Sequence, residues 1–135
     1  MCDDAAFLAD LGGAPRVQGL ARAWHLRPDT LRAFPAAAPR GSSATAPLVP
    51  ALAVFPEIAP RPQTRVEPVE PAEALGRLVE ASALVVVDGA ARAPEHLALL
   101  GRIASEVPAV RVALGRDLLE TPAAVARALL RAAGW

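Results

Sequence analysis

The chain has 135 residues, enough for one domain or for a small domain carrying an extension. Its fourteen basic and fourteen acidic residues cancel, which argues against a non-specific nucleic-acid coat or a membrane-surface binder, since both need excess positive charge. Hydrophobic residues make up 53% of the chain but aromatic residues only 4%, so a core is built from Ala, Val and Leu in small increments of buried area.

Arg takes every Lys/Arg position, and Lys, Asn and Tyr do not occur. That pattern reflects the coding bias of a GC-rich bacterial genome rather than an arginine-specific mechanism. The single Cys2 rules out an internal disulfide and a Cys-based metal cluster. The opening "MCDDAAFLADLGG" has acidic residues where a secretory leader has basic ones, and no long apolar run. No stretch approaches the roughly 18 apolar residues of a membrane span. A soluble cytoplasmic protein is expected.

Residues 1–34 are expected to be helical, because "DDAAFLADL" and "RVQGLARAW" carry apolar residues at helical spacing. Residues 35–47, "PAAAPRGSSATAP", offer little side chain to bury and read as a flexible linker. Residues 48–135 read as an α/β domain, beginning with candidate strands "LVPALAVF" (48–55) and "TRVEPV" (64–69). Each contains a proline that cannot donate to a sheet ladder, so edge positions suit them. "PAEALGRLVEA" is a helix opened by Pro71, with Leu75, Leu78 and Val79 on one face. "ALVVVDG" (83–89) is the clearest strand, rich in β-branched residues and closed by Asp88-Gly89, as expected of a strand buried on both faces.

"APEHLALLGRIASEV" follows as a helix with Leu97, Leu100, Ala104 and Val107 on one stripe, ended by Pro108. "AVRVAL" (109–114) is another strand. "TPAAVARALLRAAG" is the last helix, with Thr121 as N-cap, Pro122 at the first helical position and Gly134 as the stop. Alternation of strand and helix predicts an α/β fold: a small parallel or mixed sheet with helices on its faces, preceded by the helical segment and the linker.

Ligands in such sheets sit at the carboxyl ends of the strands, which here carry Glu57, Asp88, Arg116 and Asp117. Asp88 is a possible metal ligand or base. Its plainer role, and the favoured one, is to turn the chain out of its strand. "DGAARAPEH" lacks the glycine pattern of a pyrophosphate loop, and no P-loop occurs. His25 and His96 are far apart in sequence, and Ser42, Ser43, Ser82 and Ser105 have no nucleophile-elbow context. These residues form no catalytic constellation, so no enzyme activity, metal or cofactor is expected.

The segment "LARAWHLRPDTLRAF", Leu20 to Phe34, resembles a helix-turn-helix over about twenty residues (14–34). Leu20, Trp24, Leu26, Leu31 and Phe34 occupy its apolar positions, Ala21 the small one, and Pro28 starts the second helix. Arg27, Asp29 and Arg32 would then face DNA. His25 stands where a Gly is usual, and Pro35 ends the second helix after about two turns. A second reading makes the segment a docking peptide for a protein partner, with Trp24, Leu26, Arg27, Leu31 and Phe34 as its contacts. The bland alternative packs Trp24 into the α/β core.

Trp24 with Leu26 and Arg27, then the linker, then a small α/β domain closing on Leu118, Leu119, Pro122 and Arg127, resembles the psi subunit of the bacterial replicative polymerase's clamp-loader assembly. The usual second Trp within the last helix is absent here, since Trp135 stands after it. The resemblance implies a non-catalytic accessory subunit in DNA replication, whose N-terminal segment docks on one protein while the α/β domain holds a second. A non-enzymatic adaptor is therefore the preferred expectation. The alternative is a helix-turn-helix transcriptional regulator whose α/β domain dimerises or senses a ligand.

Overall fold

The computed structural model describes residues 6–19, 32, 46–82 and 93–135. The chain divides into two compact units, Met1–Val49 and Pro50–Trp135. In the first, strands β1 (Ala6–Leu11) and β2 (Ala14–Gly19) form an antiparallel hairpin whose register runs from Ala6 opposite Gly19 to Leu11 opposite Ala14. The connecting Gly12 and Gly13 have φ of 66° and 80°. Two consecutive positive φ angles match the twist of a tight hairpin, and glycine adopts them without a Cβ clash. Leu48 pairs with Val17 through two backbone hydrogen bonds of 2.8 Å.

This hairpin corrects the expectation of a helical segment across residues 6–19. Ala-rich sequence fits a helical spacing by default, whereas "LGGAP" carries a turn signal specific to a hairpin. The helix-turn-helix reading loses the start of its first helix for the same reason, because Val17 lies in β2. Of the remaining N-terminal segment only Arg32 is described, and it is helical and exposed. Linker residues 35–45 lie outside the described residues, and Ala46 and Pro47 have no regular structure.

The second unit contains β3 (Ala53–Ile58), β4 (Arg65–Pro68), α1 (Pro71–Ala81), α2 (Ala93–Glu106), β5 (Ala109–Leu114), α3 (Asp117–Glu120) and α4 (Pro122–Ala132). The expected strand 48–55 is shifted, since Leu48 pairs with Val17 and the ladder of β3 begins only after Pro50. The expected strand 83–89, with Asp88, lies outside the described residues.

Among the described residues the sheet has the order β3-β5-β4. It is mixed: β3 runs parallel to β5, and β4 antiparallel to it. Pro56 and Pro68 fall in the two outer strands, where a missing N–H costs least, and β5 contains no proline.

Alternation along the strands separates two faces. On one, Ala53 and Phe55 of β3 and Ala109 of β5 pack with Val69 and with Ala74, Leu75 and Leu78 of α1 and Ala104 of α2. The small residues let helices approach the sheet closely. On the other face Val110 and Val112 of β5 are buried, while α4 packs against β4 and buries Val125. Two expected core positions prove exposed. Val79 and Leu97 are 45% and 52% accessible, because the buried stripes of their helices run through Ala74 and through Leu100, Ile103 and Ala104.

The last helix begins with Pro122 at its first turn, as expected. Thr121 holds the N-cap position, but its hydroxyl donates to the Asp117 carbonyl instead of capping α4. At the far end Gly134, with φ 82°, stops the helix. Its N–H donates to Arg131 O, and Trp135 N–H to Leu130 O at 2.9 Å, the paired bonds of a Schellman cap.

Gly115, directly after β5, is required for space. A Cβ there would lie 2.7 Å from Thr64 N and 2.8 Å from Gln63 O, and closer still to the Gln63 carbonyl carbon. Gly76 in α1 faces open space. Denaturant unfolding of the two alanine variants should therefore move in opposite directions. Gly115→Ala is expected to lose about 1–3 kcal/mol by overpacking, and Gly76→Ala to gain about 0.5–1 kcal/mol from helix propensity.

Candidate functional site at the carboxyl end of the sheet

Strands β3 and β5 both end toward the loop at residues 59–64, which α3 follows on the β5 side. The exit of β5 grips that loop through its backbone. Arg116 N–H donates to Arg61 O, and Asp117 N–H to Pro62 O, each at 3.1 Å. The Asp117 carboxylate accepts from both the backbone N–H and the hydroxyl of Thr64, each at 2.7 Å. The Thr64 hydroxyl oxygen also accepts from Gly115 N–H at 3.0 Å. Removing one partner would leave the others unsatisfied in a part-buried setting, which is costlier than the net worth of any single bond.

The charged residues beside this joint are arranged by strand register. Arg111 in β5 lies opposite Glu67 in β4 and Phe55 in β3, and one step along Ala113 lies between Arg65 and Glu57. Arg111 donates to the Glu67 carboxylate. That hydrogen bond and the charge of Arg111 hold Glu67 below the usual carboxylate range, with Arg65 and Arg61 adding smaller pulls, and the bond raises Arg111 in turn.

Arg77 of α1 stands over the Phe55 ring, 5.6 Å from its centroid. It donates to Glu57 at 2.9 Å and Glu73 at 3.0 Å, bonds that raise its own pKa. These pairs are largely solvent-accessible, so each is worth little on its own. Together they tie helix α1 to strand β3.

The sequence-predicted candidates divide into three groups. Glu57 is bound by Arg77, and Asp117 by Thr64. Arg116 is exposed, and only its backbone takes part in the joint. Trp24, Leu26, Arg27, Asp29, Leu31, Phe34, His25 and Asp88 lie outside the described residues, and Arg32 is the only DNA-facing candidate that is described.

His96 is half-buried in α2, and its Nε2 has no hydrogen-bond partner. Ser82 and Ser105 donate to carbonyls one turn back in their helices, from Leu78 and Gly101. Of the closing positions, Leu118 is half-buried, Leu119 and Arg127 are exposed, and Pro122 opens α4. Among the described residues no group of three His, Cys, Asp or Glu side chains is placed to hold a metal ion. Among the same residues no helix is long and apolar enough to cross a membrane.

Sequence reasoning missed Thr64, Gly115, Arg61, Arg65, Glu67, Arg77 and Arg111. The usable signal was "GRD" directly after a strand, where a Gly permits close approach and an Asp reaches a neighbouring turn. The others come together only through strand register and a loop.

Two outcomes follow. Asp117→Ala, which strips Thr64 of its acceptor, should cost about 1–3 kcal/mol in urea unfolding, whereas Glu120→Ala on the exposed side of α3 should be near neutral. Because Glu67 is depressed in the folded state, its contribution is present above the ordinary glutamate pKa of about 4.3 and is lost as pH falls through its lowered value. The stability gap between the wild type and Glu67→Gln should therefore hold near neutral pH and close on acidification, read from unfolding midpoints in a pH series.

Compared with protein-family models, curated proteins and solved structures, the chain has no match.

Proposed function

We propose that the protein is a non-enzymatic adaptor whose N-terminal segment docks on one protein partner while the Pro50–Trp135 unit holds another. The observation that carries this reading is the set of large apolar side chains left in water at the end of that unit. Leu119 on α3 is 63% accessible, Leu130 on α4 44%, and Trp135 74%. Isolated exposed leucines are ordinary, but an exposed Trp, joined through its backbone N–H to Leu130 in the Schellman cap, supplies the kind of anchor that dominates protein interfaces. The carboxylates at the sheet's end support the same reading from the other side. Glu57, Glu67 and Asp117 are each hydrogen-bonded to a residue of the same unit.

In this proposal Trp24, Leu26, Arg27, Leu31 and Phe34 form the docking contacts of the N-terminal segment. The resemblance to the psi subunit supports placing the assembly in DNA replication at a clamp loader. Neither role requires a metal or an organic cofactor, and the setting is the cytoplasm.

Quantitative affinity capture with the full chain tests the reading. Trp24→Ala is expected to lose one partner by tenfold or more and Trp135→Ala a different one, with the thermal melt unchanged in both. If both variants retain every partner, the adaptor reading fails. Steeply salt-dependent binding to duplex DNA that is lost in Arg27→Ala and Arg32→Ala, with no protein captured, would replace it by the helix-turn-helix regulator.

A further inference from the structure

The loop between β3 and β4 surrounds a cleft of about 260 Å³ lined by Arg61, Pro62, Gln63 and Arg65. Neither arginine forms an ion pair among the described residues. The acid whose charge they reach is Glu67, and its carboxylate is already hydrogen-bonded to Arg111. Arg61 and Arg65 thus add positive charge near a carboxylate that Arg111 already binds. Farther along the sheet, Arg77 is divided between Glu57 and Glu73.

We propose that this cleft binds the phosphate of a small phosphomonoester, with Arg61 and Arg65 clasping the phosphate and Pro62 and Gln63 flanking the ligand's carbon body. Two guanidinium groups on one opening suit a dianion with three terminal oxygens, whereas a lone carboxylate is satisfied by a single fork. The cleft is open to solvent, and its volume of about 260 Å³ gives room for a phosphate with a short carbon body beside it. A nucleic-acid backbone is disfavoured, because the chain as a whole is electrically neutral.

The cleft is also held in advance of any ligand. Arg61 and Pro62 are fixed through their carbonyls by Arg116 and Asp117, and Thr64 is fixed through its N–H and hydroxyl by the Asp117 carboxylate. A pinned loop loses little freedom on binding, so the attraction of two charges is not spent on ordering the backbone. This site stands apart from the adaptor reading, which uses the last helices and the N-terminal segment.

Calorimetric titration of the full chain with ribose 5-phosphate, and with ribose as its uncharged twin, tests the proposal. Saturable heat is expected for the phosphorylated sugar and none for ribose, with inorganic phosphate competing. Arg61→Gln and Arg65→Gln should each weaken binding by roughly tenfold or more, while Arg127→Gln, on the exposed face of α4, leaves it unchanged. Thermal melts matching the wild type confirm that each variant is folded. The proposal is overturned by equal binding of ribose, by equal weakening in all three variants, or by no saturation at roughly 10 mM.

Discussion

The ladder partners of β5 determine the second unit more than any other set of contacts. Its six residues bond β3 on one side and β4 on the other, so every face assignment in the sheet follows from its register. Ala109 and Arg111 point to the face of α1 and α2, Val110 and Val112 to the opposite face, and a slip by one residue would exchange them. Such a slip would place Arg111 among the buried valines, at the cost of desolvating a guanidinium with no partner. The pairing of Arg111 with Glu67 is weak as a source of stability, yet it identifies the correct register.

The same strand controls what lies beyond its end. Gly115 brings the β5 exit against the Gln63–Thr64 backbone, and only then can Asp117 reach Thr64. Strand register, a glycine without a Cβ, a carboxylate held by a hydroxyl and an N–H, and a fixed loop form one chain of dependence. The ion pairs of Arg77 and Arg111 lie beside it, exposed and individually minor. The backbone joint, part-buried and mutually satisfied, is where a single substitution propagates.

Much of the second unit was legible from sequence because its elements carry strong local signals. Proline at the first turn identified α1 and α4, and Pro68 of the expected 64–69 run falls in β4, an outer strand among the described residues, whereas Pro50 of the expected 48–55 run precedes β3. The N-terminal hairpin was misread because Ala and Leu satisfy a helical spacing almost anywhere in a chain that is 53% hydrophobic. The paired glycines were the more specific signal. At the candidate site Glu57 and Asp117 were named from their position at strand ends, but their bonding partners were not. Arg77 is twenty residues from Glu57, and Thr64 fifty-three from Asp117, separations over which spacing carries no information.

A carboxylate in a structural bond and a guanidinium left without one have opposite consequences. Among the described residues Asp117, Glu57 and Glu67 are each hydrogen-bonded within the fold. Among the described residues Arg61 and Arg65 have no ion-pair partner and stand beside a backbone held by hydrogen bonds, which suits holding an anion rather than moving protons, since guanidinium does not titrate near neutral pH.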